Sequence, residues 1–78
     1  MIRVKVVAPF RVSRGVLDER GWIELREGAT VRELQKALGM PGVAAKMFRP
    51  HINGAKQPPS AVLRDGDVVS YFSMIRGG

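Results

Sequence analysis

Residues 28–42, GATVRELQKALGMPG, decide the fold, because they contain one helix with clear signals at both ends. Thr30 is a good helix N-cap, and Glu33 three positions later completes the sequence pattern of a capping box. Gly39 is typical of the residue that follows the last helical turn, and Pro41 prevents the helix from continuing. We therefore predict a helix from Val31 to Leu38, and its apolar face contains Val31, Leu34 and Leu38.

Two strand-like segments precede this helix. Apolar and charged side chains alternate from Ile2 onward, which is typical of a half-buried strand, and Pro9 indicates where that strand ends. Residues 22–27, WIELRE, alternate in the same way. The polar residues 11–21 connect the two segments, so together they predict a hairpin with a long loop.

The segments after the helix predict a short helical turn and a final pair of strand regions. Residues 43–48, VAAKMF, are compatible with one further helical turn. Asn53-Gly54 is the strongest two-residue hairpin signal and predicts a hairpin over residues 48–57. Asp65-Gly66 is a second turn, after which residues 67–75 predict the last strand.

One helix among several strands must cover a face of the sheet in order to bury its apolar stripe. The first and last strands are the most apolar, so we expect them to be central neighbours that run parallel. The predicted fold is α+β, a ubiquitin-like β-grasp with a mixed sheet of four to five strands covered by one main helix. Residues 1–78 are expected to form a single domain with a flexible C-terminal tail over residues 75–78.

Composition excludes several classes of site. The chain has no cysteine, which excludes disulfides, thiolate metal sites and a catalytic thiol. Its net charge is +6 and its pI about 10.9, but the arginines are dispersed, as in an ordinary solvated basic surface. No stretch approaches the roughly 18 apolar residues of a membrane span. The N-terminus also lacks the pattern of a signal peptide, so a cytoplasmic location is expected.

The polar and aromatic residues that could carry chemistry are interpreted first as structural. Asp65 and Asp67 flank a glycine in a turn, where aspartate side chains cap backbone N–H groups. His51 is the only histidine, and no cysteine or second histidine could share a metal ion with it. Trp22 and Tyr71 lie in strand patterns, so we expect them to pack.

The chain resembles the ThiS/MoaD-type sulfur-carrier proteins over essentially its whole length. The resemblance rests on EGATVRELQKAL at 27–38, HINGAKQ at 51–57 and, most specifically, LRDGDVVSYFSMIRGG at 63–78. It implies a protein cosubstrate rather than an enzyme. It also implies that the chain itself binds no cofactor, and that ATP and Mg are used by an activating partner.

In that family the carboxylate of the last glycine, here Gly78, is the reacting group. The resemblance implies that an E1-like adenylyltransferase adenylates it and that a sulfur donor, a persulfide enzyme, converts the acyl-adenylate to a thiocarboxylate. A sulfur-accepting synthase subunit would be the third partner. Arg76 and Gly77 would thread into a partner's active site, and the partner-binding residues would be Phe72, Met74 and Ile75.

Strand alternation divides the last strand into two faces. Phe72 and Met74 share one face with Val68 and Ser70, and the opposite face contains Val69, Tyr71 and Ile75. Either face could be the core. We expect that Phe72 or Met74 is exposed and belongs to a partner-binding patch.

The resemblance leaves the pathway open. The long connection over residues 11–21 favours the molybdopterin branch, which serves molybdenum/tungsten cofactor biosynthesis, over the thiamine-pathway carriers. Ser73-Met74 stands where the family often has Pro-Pro, and Arg76 resembles the Arg-Gly-Gly end of ubiquitin. A ubiquitin-like protein modifier is therefore an alternative, and a basic RNA-binding β-grasp module is a less favoured one.

Overall fold

Five strands form one mixed sheet, and the main helix covers one of its faces. The computed structural model describes residues 1–9, 12 and 14–73. The elements, in chain order, are β1 (Ile2–Val7), β2 (Trp22–Leu25), α1 (Val31–Ala37), α2 (Gly42–Met47), β3 (Phe48–Ile52), β4 (Ala55–Lys56) and β5 (Val68–Ser73). The spatial order of the strands is β2-β1-β5-β3-β4.

The first and last strands are the central neighbours, as the sequence predicted. β1 and β5 are parallel, with Val6 opposite Val69 in the register. β2 pairs antiparallel with β1, while β3 pairs antiparallel with both β5 and β4. Two parallel neighbours need a crossover connection. The connection from β1 to β5 contains α1, which covers one face of the sheet. This arrangement is the β-grasp, and it confirms the predicted fold class.

The main helix begins and ends close to the predicted residues. The Thr30 hydroxyl accepts a hydrogen bond from the Glu33 N–H at 3.3 Å, which is the first half of a capping box. The second half is replaced, because the Glu33 carboxylate receives the Arg26 guanidinium, with Nε at 2.9 Å. At the other end the N–H groups of Gly39 and Met40 donate back into the last turn, and Gly39 has a φ of 71°. The regular helix therefore ends at Ala37, one residue before the prediction.

The core lies between α1 and the inner face of the sheet. The three predicted helix residues Val31, Leu34 and Leu38 are all fully buried. They pack with inward-facing strand residues and two loop residues; the buried cluster also contains Ile2, Val4, Val6, Leu25, Ala29, Leu63, Val69 and Tyr71. Burial of this apolar area, at about 25 cal/mol per Å², is the main favourable term for so small a domain.

The turns follow the local signals. Asn53 and Gly54 have φ values of 52° and 87°, the pair of left-handed conformations that a type I′ hairpin turn requires. The short helix predicted at 43–48 is present as α2, but Phe48 is extended and begins β3 instead. The return strand β4 ends at Lys56.

None of the helices in the ranges that the structure describes is both long and apolar enough to cross a membrane.

Candidate functional site

The predicted site residues fall at the end of the chain. Five of them lie outside the described residues, so their predicted roles stay predictions. They are Met74, Ile75, Arg76, Gly77 and Gly78. Phe72 is described, and it belongs to β5, the strand that leads toward them in sequence. The described part of the candidate site is therefore the surface around Phe72.

Burial along β5 decides which of its two faces is the core. Val69 is fully buried and Tyr71 is 3% exposed, whereas Phe72 is 55% exposed. The face shared by Val68, Ser70 and Phe72 is therefore the outer one. This confirms that Phe72 is exposed and that Tyr71 packs in the core, where burial raises the pKa of its hydroxyl.

Strand pairing surrounds Phe72 with particular neighbours. Arg49 lies directly opposite Phe72 on β3, and His51 lies opposite Ser70. Lys56 lies opposite His51 on β4. Residues that oppose each other across a sheet share a face, so these side chains form one outer surface. We call this surface, made of Arg49, His51, Lys56, Ser70 and Phe72, the Phe72 face.

His51 holds Phe72 in place rather than serving as an isolated polar group. The two rings meet edge to face, with centroids 4.7 Å apart and planes at 83°. Such pairs contribute about 0.5–1.5 kcal/mol beyond their area burial. The His51 Nδ1 atom also lies 3.2 Å from the Arg49 carbonyl oxygen, which orients the imidazole.

Sequence reasoning missed this contact. The Asn53-Gly54 turn fixes how β3 pairs with β4, but no local signal fixes how β3 pairs with β5. His51 and Arg49 become neighbours of Phe72 only through that second pairing. The alternation of side chains along β3, counted back from the Asn53-Gly54 turn, could have placed both residues on the outer face. It could not have shown which β5 residues they contact.

The two aspartates of the last turn have structural duties, as predicted. Asp65 Oδ1 accepts a hydrogen bond from the Arg3 N–H at 2.8 Å. Asp67 Oδ2 accepts one from the Arg64 N–H at 2.8 Å. The first bond links the turn to β1, and the second lies within the turn itself. Both carboxylates therefore serve as acceptors for backbone N–H groups.

The Asp18 carboxylate organises the described part of the long loop before β2. Asp18 Oδ1 accepts hydrogen bonds from the N–H groups of Arg20 and Trp22 at 2.9 and 2.8 Å. Asp18 Oδ2 pairs with Arg3 at 3.2 Å, and that guanidinium lies 5.5 Å from the centre of the Trp22 ring. The bond from the Trp22 N–H is the main reason that the pKa of Asp18 is lowered. Trp22 is half-buried beneath Arg3 and borders an open cavity of about 460 Å³.

Among the described residues, no group of three histidine, aspartate or glutamate side chains is placed to hold a metal ion. The Phe72 face presents one phenyl ring, one imidazole, one hydroxyl group and two cations.

No protein-family model matches the chain, and no curated protein sequence matches it. Among solved structures, the chain is similar to the "Putative molybdopterin converting factor, subunit 1" from Pyrococcus furiosus. The two are 26% identical with a TM-score of 0.65, and the match covers 96% of this chain and all of that one. This neighbour confirms the resemblance to the ThiS/MoaD-type family at the level of the whole fold.

Proposed function

We propose that this MoaD/ThiS-like chain is a sulfur-carrier protein that donates sulfur in molybdopterin biosynthesis. The observation that carries the proposal is the match, over 96% of the chain, to a protein named as a subunit of a molybdopterin converting factor. The chain would act as a protein cosubstrate in the cytoplasm, where ATP is available, and would pair with a synthase subunit. Molybdenum and tungsten cofactors share this pterin, so either metal fits the proposal.

The reacting group in this proposal is the Gly78 carboxylate. A carboxylate is a poor electrophile until it is converted to a mixed anhydride with phosphate. In the first step a Gly78 oxygen attacks the α-phosphorus of ATP on an E1-like adenylyltransferase, and pyrophosphate leaves. The outer sulfur of a persulfide donor then attacks the acyl-adenylate, AMP leaves, and the product is an acyl disulfide that links Gly78 to the donor. A second thiol, which this cysteine-free chain cannot supply, attacks the donor sulfur of that disulfide, so that the thiocarboxylate leaves and the donor is left as a disulfide. ATP and Mg belong to the partner, so the carrier needs no general base or metal ion of its own.

The sequence of the tail suits a narrow active site. Gly77 and Gly78 have no side chains, so the backbone can approach a nucleotide closely. Arg76 precedes them as the last residue with a side chain. We propose that Arg76 and Gly77 thread into the partner, and that Met74 and Ile75 extend the contact begun by Phe72.

The Phe72 face supports a docking role. Exposed aromatic side chains that become buried in an interface commonly act as anchors, whose truncation costs about 2 kcal/mol or more. Phe72 is exposed although the strand around it is well packed, and His51 limits its freedom. A side chain ordered before binding loses less entropy when the partner arrives.

The proposal is tested by incubating the full chain with an E1-like adenylyltransferase, ATP, magnesium, a persulfide donor and a thiol reductant. Intact-mass spectrometry should then show the replacement of one oxygen by sulfur, and omission of ATP should abolish it. A chain that is neither adenylated nor thiolated under these conditions contradicts the proposal. Fragmentation of the same ion gives the mass of the terminal peptide, and therefore whether Gly78 carries the change.

The tail sequence Arg76-Gly77-Gly78 also favours one second function, a ubiquitin-like protein modifier. A modifier uses the same activated carboxylate to form isopeptide bonds with lysines. Immunoblots of cell lysate with an antibody against the chain separate the two, because a modifier gives a ladder of conjugates and a carrier gives one band. A thiamine-pathway carrier would give one band as well, and is distinguished by the synthase subunit that accepts its sulfur.

A further inference from the structure

We propose that the Phe72 face selects an acidic protein surface, in which carboxylates surround an apolar pocket for Phe72. The proposal rests on the carrier function above, and it names the chemistry of the partner at the same site. It concerns the docking surface alone and not the reaction at the tail.

The charges on the outer face of the sheet are unequal. Arg49 and Lys56 lie on the Phe72 face, opposite Phe72 and His51 respectively. Lys5 adds a third cation on β1, opposite Val68 on β5. In the described strands the one acidic residue on this side of the sheet is Glu24, and it lies opposite Arg3 at the far end. The region around Phe72 is therefore cationic.

Within the described residues, none of these three cations belongs to an ion pair. The ion pairs in the described ranges are Arg3 with Asp18 and Arg26 with Glu33. Arg49, Lys56 and Lys5 take part in neither. A surface with unbalanced charge of one sign raises the association rate with a surface of the opposite sign and repels partners of like charge. Phe72 is the apolar anchor of the proposed interface, and the cations discriminate acidic partner surfaces from basic ones.

The apolar neighbours favour a protein over a nucleic acid. Single-stranded nucleic acids are bound by several aromatic rings that stack on successive bases, beside a groove of cations that follows the backbone. Here Phe72 has its ring against His51, and Trp22 is half-buried beneath Arg3. The other exposed apolar side chain on the described outer face is the aliphatic Val7, 51% exposed. One exposed phenyl ring with aliphatic surroundings matches the apolar pocket of a protein interface better than a row of bases.

A defined probe tests the proposal before any natural partner is identified. The probe is a short synthetic peptide with a central leucine flanked by glutamates, and the control peptide has glutamine in place of every glutamate. Amide chemical shifts of the full chain are recorded during titration. We expect the shifts to concentrate at Arg49, His51, Lys56 and Phe72, and the glutamine peptide to produce almost none. Shifts spread evenly over the molecule overturn the proposal.

Charge reversal with a matched control isolates the surface. Arg49→Glu with Lys56→Glu changes the net charge as much as Arg32→Glu with Lys36→Glu on α1. The control residues are exposed on the helix, on the opposite side of the sheet. We expect the first pair to weaken binding of the acidic peptide about tenfold and the control pair less than about twofold. Equal losses in both double variants mean that net charge alone matters, which overturns the proposal.

Two further arms separate this inference from the proposed function. If a short single-stranded RNA binds the Phe72 face more tightly than the acidic peptide does, the proposal of a protein partner is overturned. Thiolation of the Arg49→Glu, Lys56→Glu variant by the adenylyltransferase at the wild-type rate and KM overturns acidic docking, while the carrier function stands. If the wild-type chain is never thiolated but the acidic peptide still maps to the Phe72 face, the carrier function fails and the acidic docking stands.

Discussion

Asn53 and Asp67 join the β3–β4 hairpin to the entrance of β5. Asn53 Nδ2 donates to Asp67 Oδ1 at 3.0 Å, and Asn53 Oδ1 accepts from the Val68 N–H at 2.9 Å. The Asn53 N–H also donates to the Val68 carbonyl oxygen at 2.8 Å. One residue therefore forms the left-handed turn and fixes the start of the strand that leads to the candidate site.

Two variants of Asn53 separate its side-chain hydrogen bonds from its left-handed backbone conformation. Asn53→Gly keeps a residue that tolerates positive φ and removes only the side-chain hydrogen bonds, so the unfolding free energy should fall by about 1 kcal/mol. Asn53→Ala also adds the strain of a left-handed alanine, about 1–2 kcal/mol more. Urea denaturation of both variants measures the difference. Equal stability of the two variants would show that the turn does not require the left-handed conformation.

Phe72→Ala should weaken binding to the adenylyltransferase or the synthase subunit while lowering the unfolding free energy by only about 1 kcal/mol, because Phe72 is 55% exposed and loses mainly its ring contact with His51. Tyr71→Ala is the matched control on the other face of the same strand. Tyr71 is 3% exposed, so its truncation should cost about 3–5 kcal/mol of stability. Binding is read by calorimetry and stability by thermal unfolding. A large loss of stability in Phe72→Ala would contradict its assignment as a contact residue.

Changes of tail length should abolish thiolation without unfolding the domain. Deletion of Gly78 retracts the terminal carboxylate by about 3.5 Å in an extended chain, and addition of one alanine after Gly78 advances it by as much. Adenylation requires near-attack placement of the carboxylate at the nucleotide, so both variants should fail in the mass assay. Circular dichroism checks that the fold is retained. Thiolation of either variant at the wild-type level would remove Gly78 from its proposed role.

Asp18 should make the free energy of unfolding depend on pH in the acid range. Its pKa is lowered from 3.8 in the folded protein, mainly by the bond from the Trp22 N–H. A group with a depressed folded pKa contributes stability above its unfolded pKa, and that contribution is lost as pH falls through the folded value. Urea midpoints of the wild type and Asp18→Asn should therefore differ most above about pH 4 and converge below it. A constant difference at every pH would contradict an ionised Asp18 as the loop's organiser.

Local signals predicted most of the fold because they act within a few residues. Thr30, Gly39 and Asn53-Gly54 each fix backbone conformation through their own chemistry, and the structure places each as predicted. Glu33 shows the limit of such signals, because a side chain from outside the helix, Arg26, takes the carboxylate that would complete the capping box.

The candidate site was less predictable from sequence. Alternation placed Phe72 on one of two faces, and only the burial of Val69 and Tyr71 decides which face is outer. The ring contact of His51 with Phe72 depends on long-range strand pairing, which no local pattern encodes. The proposed roles of Gly77 and Gly78 come from the family resemblance, since glycine offers no side-chain chemistry from which to derive them.

The Asp18 loop also occupies part of one edge of the sheet. β2 is an edge strand, and at Trp22 both outward backbone groups are already used. The Asp18 carboxylate accepts from the Trp22 N–H, and the Asp18 N–H donates to the Trp22 carbonyl oxygen at 3.0 Å. At the opposite edge β4 has only two residues. Exposed, long edge strands are templates on which further chains add and aggregate. With the outward groups of Trp22 occupied at one edge and only two residues in β4 at the other, these edges offer few free backbone groups to which another polypeptide could add as a further strand.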